Sequence, residues 1–194
     1  MNVVSGLDRV LDFERIFDAP RDVVFMMWTH PRHLIRWYGP RGHSLMTCEM
    51  DFRVGGGWRF CMNNGSEDTW VWGTYRAIEE PSLLVFSSSM HWHRYETLVT
   101  IHFDDLGDGR TRMRFRQEEF GNLEDCEDHR WGWQSALDKL SEQLMLMHTA
   151  GLFDDLFRKA PRCDGVAEDF AEAARAAAEE RRRNPEEAIP PRFR

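Results

Sequence analysis

Hydrophobic positions recur along this chain in two rhythms, one suited to strands and one to helices. Near the N-terminus, Phe13, Arg15 and Phe17 alternate with Glu14 and Ile16, which predicts a first edge strand. The strand runs into Asp18-Ala19-Pro20. A short helix is predicted to follow, with Asp18 as its N-cap and Pro20 in its first turn, where the missing N–H would be unpaired anyway. Pro31 breaks that helix and starts a second short one, which ends at Trp37-Tyr38-Gly39-Pro40.

After Pro40 the rhythm becomes alternating. Strands are predicted over Ser44–Asp51, Trp58–Met62, Thr69–Ile78, Leu83–Ser88, Glu96–Phe103 and Arg110–Gln117. Arg53 to Gly57 reads as a glycine turn, Asn63-Asn64-Gly65 as a turn, Gly73 as a bend or bulge, and Asp105 to Gly109 as a hairpin. The last strand alternates most clearly. Thr111, Met113, Phe115 and Gln117 share one face, and Arg110, Arg112, Arg114 and Arg116 share the other, which predicts one buried and one wet side.

The helical rhythm returns from Asn122 to about His148. Trp133, Leu137, Leu140, Leu144 and Met147 form one apolar stripe, Asn122 suits the N-cap, and Glu124 and Asp125 suit the positive end of the helix dipole. Gly132 would let this helix pass close to the sheet or leave room for a ligand. The chain thus divides into a lead (1–9), a domain (10–148) and a helical extension with a proline-rich tail (149–194). In the extension, Val166, Phe170, Ala173 and Ala177 share a face that needs cover, from the body or from a second copy in a homodimer.

Four blocks in this order carry a resemblance: FDAPRDVVFMMWTHPRHLIRWYGP, DFRVGGGWRF, ETLVTIHFDDLGDGRTRMRFRQ and HRWGWQSALDKLSEQL. Over about residues 10 to 148 the chain resembles the START-like (SRPBCC) superfamily, in the Aha-type branch named after activators of the Hsp90 chaperone ATPase. The resemblance implies an α+β helix-grip fold, a curved antiparallel sheet wrapped around a long C-terminal helix, often with a ligand cavity between them.

Composition narrows the options. The 194 residues suffice for one sizeable core with an appendage. A net charge of −8 argues against nonspecific nucleic-acid binding and against a polybasic membrane surface. No apolar run approaches the roughly 20 residues of a membrane helix, and the N-terminus lacks a signal pattern, so a cytoplasmic protein is expected. Cys48, Cys61, Cys126 and Cys163 are scattered, as suits reduced packing thiols.

Signatures of nucleophile elbows, phosphate loops, dinucleotide folds and zinc proteases are missing. Gly55-Gly56-Gly57 joins two strands and leads into no helix, so a tight turn is the better reading than a phosphate cradle. His91 and His93 would share a strand face and could hold a metal with His102 or Glu96, but a loop is the better location, and no metal or other cofactor is assigned. Glu49, Asp51, Glu118 and Glu119 supply carboxylates without any pairing visible in sequence, so no catalytic residue is assigned. His129 either reaches a ligand or is a rim histidine bonded to Asp125, four residues back.

The aromatic load, 12% with eight tryptophans, either fills the core or lines a pocket. Candidate ligand-binding positions are Trp28, Trp37, Trp58, Phe60, Trp72, Phe86, Phe103, Phe115, Trp133 and Leu137, with Tyr75, Thr111, Gln117 and His129 as polar groups for specificity. Trp28 and Trp37 are expected to close one end of the cavity opposite the helix of Trp133. The chain is expected to bind a small hydrophobic or aromatic molecule, lipids included. A cyclase or dehydratase of the polyketide type, using the same cavity, is the alternative the resemblance implies. Stimulation of a chaperone ATPase ranks lowest, because the named activators use an additional N-terminal domain for which this chain offers no room.

Overall fold

A computed structural model describes residues 9–153; the predicted extension helix and tail lie outside the described residues. The elements follow the predicted order. Strand β1 (Leu11–Phe17) leads to the short helices α1 (Arg21–Thr29) and α2 (Pro31–Trp37). Six strands follow, β2 (Ser44–Met50), β3 (Gly57–Asn63), β4 (Asp68–Glu79), β5 (Leu83–Met90), β6 (Thr97–Asp105) and β7 (Thr111–Glu118), and then the long helix α3 (Leu123–Thr149). The seven strands form one curved antiparallel sheet in the order β1-β7-β6-β5-β4-β3-β2, so β1 and β2 are its edges. This is the helix-grip arrangement.

The register of the sheet separates a greasy face from a charged one. Phe13 lies opposite Phe115, and their rings stack at 4.8 Å. On the other face Arg112 approaches Glu14, Arg114 bonds Asp104 and Arg116 reaches both Asp12 and Glu118. The arginine stripe is therefore a solvated outer face with acidic partners, each exposed pair contributing no more than about 1 kcal/mol.

Most turns and caps match their residues. His30 closes α1 and caps α2, whose first residue is Pro31. Asn122 Oδ1 accepts the Asp125 N–H at 2.8 Å and caps α3. Asp18 does not cap α1. Pro20 itself stands at the N-cap in extended conformation, its carbonyl accepting from Val24 N, so the helix begins three residues after Asp18. Gly56 is required in its turn, since a Cβ there would lie 2.0 Å from the Asp51 carbonyl oxygen. Gly73 is also required, because β4 and β5 approach so closely that a Cβ would sit 1.7 Å from the Ser87 carbonyl oxygen.

The core lies between the sheet, the two short helices and the buried stripe of α3. Trp28 is its hub. Its ring centroid is 4.7 Å from Trp37, 5.6 Å from Trp133 and 6.4 Å from Phe115. Trp37 is completely buried and donates its indole N–H to the Met27 carbonyl at 2.9 Å. Phe25 meets Phe103 edge to face at 5.5 Å.

Candidate functional site

A pocket of about 390 Å³ opens where the N-terminal half of α3 passes over β3–β5. Short side chains on the strands, Thr69, Val71 and Ser88, leave part of this space, and Met62 and Met90 wall it with flexible apolar chains. On the helix side Gly132 faces the pocket, and a Cβ added there meets nothing within 4 Å. Of the two uses foreseen for Gly132, the structure shows room rather than close packing. Trp92 and Trp131, residues 54% and 60% exposed, line the same pocket, so indoles flank its mouth.

One part of the wall is polar. His93 Nε2 lies 3.4 Å from Asp125 Oδ1, and Asp125 also accepts from the Tyr95 hydroxyl and from Asn122 Nδ2. Burial opposes ionisation of Asp125, but the Tyr95 hydrogen bond, His93 and Asn122 prevail and hold its carboxyl below the usual range. Burial pushes His93 down, against the pull of Asp125.

His129 stacks on His93 at 5.5 Å, but its hydrogen bond goes elsewhere, Nδ1 lying 3.2 Å from Gln117 Nε2. Gln117 is fully buried on β7. Its Nε2 also donates to Thr97 Oγ1 at 2.9 Å, and its Oε1 accepts the Trp133 indole N–H at 2.8 Å. His129 Nε2 is enclosed and has no hydrogen-bond partner among the described residues. Burial, aided by neighbouring His93, pushes its pKa down to about 4, so the ring is neutral at physiological pH. Asp125, foreseen as the alternative partner of His129, serves His93 instead.

The predicted ligand-binding residues separate into groups. His129 and Trp133 line the pocket, and Gln117 reaches it through both. Trp28, Trp58, Phe60, Tyr75 and Phe86 surround a void of only about 20 Å³. Trp37, Phe103, Thr111, Phe115 and Leu137 are packed solid, each no more than 1% exposed. The Thr111 hydroxyl is engaged with the Ala19 carbonyl at 2.7 Å. Trp72 does not face inward. Val71 and Tyr75 take the buried face of β4, which puts Trp70 and Trp72 on the other, where the Arg59 guanidinium lies 4.3 Å over Trp70. Trp28 and Trp37 thus do not close the end of a cavity; Trp28 packs directly on Trp133 and Trp37 packs on Trp28, so that end is filled.

Sequence reasoning passed over Tyr38, His43, Met62, Met90, Trp92 and Trp131 as pocket residues, weighed His93 only as a metal ligand, and weighed Asp125 as a helix-end charge and a partner of His129 but not of His93. His93 turns to Asp125, while His91 Nδ1 accepts the Trp70 N–H, and among the described residues no group of three or more His, Cys, Asp or Glu is placed to hold a metal. Glu49 pairs with Arg59, Asp51 with Arg53 and Glu118 with Arg116, so three of the four carboxylates singled out beforehand sit in ion pairs, and none of the four, Glu119 included, lines the pocket.

Comparison with known proteins gives the frame. No curated protein matches the chain. A solved structure from Silicibacter pomeroyi, described as an AHSA1 protein, is 26% identical and superposes with a TM-score of 0.65 over 72% of this chain and 99% of that one. A solution structure from Arthrobacter aurescens is 25% identical, with a TM-score of 0.62 over 74% of this chain and 92% of that one. A crystal structure from Chromobacterium violaceum, at 22% identity and a TM-score of 0.61 over 69% and 96% of the two chains, shares the fold. The profile described as "Activator of Hsp90 ATPase homolog 1-like protein" matches residues 18–145, and the chain belongs to that family.

Proposed function

We propose that this protein binds a small, mostly apolar molecule, one with a ring system, in the pocket under α3. One observation carries the reading. The helix-grip space is closed by packed aromatics over most of its length but left open beside Gly132, with methionine and indole walls and a few fixed polar groups. That mixture is what small-molecule sites present. The free thiols of Cys48, Cys61 and Cys126 fit a reducing, cytoplasmic setting, and no helix among the described residues is long and apolar enough to cross a membrane.

A titration with the neutral fluorophore N-phenylnaphthylamine tests the reading. Saturable binding to one site is expected, and Gly132→Phe should abolish it while circular dichroism and cooperative unfolding persist. Absence of saturable binding, or equal binding to the Gly132→Phe protein, would refute it.

A second reading has its own support. His93, Asp125 and Tyr95 form a hydrogen-bonded histidine–carboxylate–phenol set, with His93 and Asp125 in the pocket wall, which is the equipment an acid–base cyclase or dehydratase needs. Conversion of an aromatic polyketone by the wild type and loss of conversion in His93→Gln, with binding retained, would favour it over simple binding.

A further inference from the structure

The pocket is apolar over most of its lining, yet its mouth carries an excess of negative charge and two accessible indoles. Trp92 enters from the loop between β5 and β6, and Trp131 from α3; both residues are more than half exposed. Asp128 precedes Trp131 by three residues on the same helix, so carboxylate and indole are neighbours on its surface, and Asp128 is exposed as well. Asp125 and Asp128 both line the pocket, and among the described residues no lysine or arginine does. The Asp125 oxygens accept from Tyr95 and Asn122 and face His93 at 3.4 Å. Tyr95 and Asn122 are uncharged, and burial holds His93 toward its neutral form, so this carboxylate is hydrogen-bonded but its charge is not cancelled. Basic groups on the surrounding elements are engaged elsewhere, Arg130 with Glu127 at 3.3 Å, Arg41 with Glu142, and Lys139 with the Gly39 carbonyl at 3.0 Å. Arg94 follows His93 in the chain but does not line the pocket. An indole face attracts a cation held within about 6 Å of its centre, and a carboxylate beside it adds to that attraction.

Resting on the binding reading above, we propose that the pocket takes ring-bearing organic cations, whose ring system enters beside Gly132 and whose substituted ammonium group stays at the mouth against Trp131, Trp92 and Asp128. Each part of such a molecule has its place. Met62, Met90, Val71 and Ala136 offer apolar contact to the rings. An ammonium group at the mouth keeps part of its hydration, which avoids the cost of burying a bare charge. The three residues that meet it there are reached from solvent. Asp125 acts through its field, since its oxygens are already occupied. An anionic ligand would meet two carboxylates with no cation in the wall to offset them. A neutral polar group at the same place gains little from either the indole faces or the carboxylates.

The test displaces N-phenylnaphthylamine from the full chain with three naphthalenes that differ in the charge of one substituent, naphthylmethyl-trimethylammonium, naphthylacetamide and naphthylacetate. The cation is expected to bind about threefold to tenfold tighter than the amide, with the acetate weakest, and high salt should weaken the cation more than the amide. In Asp128→Asn and in Trp131→Leu the amide-to-cation Kd ratio should fall about threefold. Glu124 is an exposed acid on the same helix that does not line the pocket, so Glu124→Gln removes an equal charge and should leave the ratio where it was. A wild-type ratio at or below one, acetate binding tighter than the cation, a ratio unchanged in both mouth variants, or an equal fall in Glu124→Gln would overturn the proposal while leaving the pocket itself in place. If N-phenylnaphthylamine shows no saturable binding, the binding reading fails and this one with it. Should a mouth variant not fold, the wild-type ranking and its salt dependence still decide.

Discussion

The space between sheet and long helix has two halves built from the same kinds of residue, and they behave oppositely. In one, Trp28, Trp37, Phe103 and Phe115 meet ring to ring and leave at most a water-sized void. In the other, Trp92 and Trp131 stand apart around about 390 Å³ of open space. The difference lies in what sits between the rings. The closed half has branched and aromatic side chains projecting from α1, α2, β6 and β7 toward one centre. The open half has a glycine on the helix and threonine, valine and serine on the strands. Aromatic content alone therefore does not make a pocket; a gap in the opposing surface does.

Substitutions should separate the two halves. The largest effect is expected from Trp37→Ala in the closed half, which removes a fully buried ring and its hydrogen bond and should cost about 3–5 kcal/mol in urea unfolding. A loss below about 1 kcal/mol would mean that this half is not packed as described.

Acid should come next. His129, at the open half, and His33, on α2, are each held by burial at a pKa of about 4 against an ordinary 6.5, with Arg32 adding to the shift at His33. Between those values the unfolded chain binds protons that the folded chain refuses. Stability contributed by these residues is thus complete above about pH 6.5 and declines as pH falls toward 4. Thermal melts across that window should show the decline, with a shallower slope in His129→Gln; a wild-type melting temperature that is flat over the window would contradict the assignment.

Smaller and opposite in sign, Gly132→Ala should raise stability by about 0.8–1 kcal/mol, because alanine is the better helix residue and its methyl meets no neighbour. Thermal or chemical unfolding measures this, and destabilisation would mean that the helix passes closer to the sheet than described. Smallest of all, Trp131→Ala should change unfolding free energy by no more than about 0.5 kcal/mol, since the ring is mostly exposed, yet weaken binding of N-phenylnaphthylamine.

Much of this was legible in the chain. The proline breaks around α2, the alternation of β7 and the stripe from Trp133 to Met147 follow from local geometry, and each fixes which face is buried. Gln117 and His129 were legible as polar groups near the stripe for the same reason, one by strand phase and one by being a helical turn from Trp133. Strand phase was ambiguous where both faces carry large side chains. In Asp68 to Tyr75 either the tryptophans or Val71 and Tyr75 could turn inward; the fold buries Val71 and Tyr75 and leaves Trp70 under the Arg59 guanidinium on the outer side. The position of the hollow was not legible, because it depends on which rings from distant segments meet. His93 finding Asp125 across more than thirty residues is likewise a product of the fold.

Trp133 belongs to both halves, one of its contacts being the Trp28 and Phe115 cluster and another the open pocket. A lineage of such proteins could therefore reshape the hollow cheaply at Gly132 and Thr69, which border it without belonging to the buried core. Any change at Trp133 would instead reshape the interior that keeps the chain folded. The pocket has one wall that is hard to vary and others that are not, and changes in its shape should run through the latter.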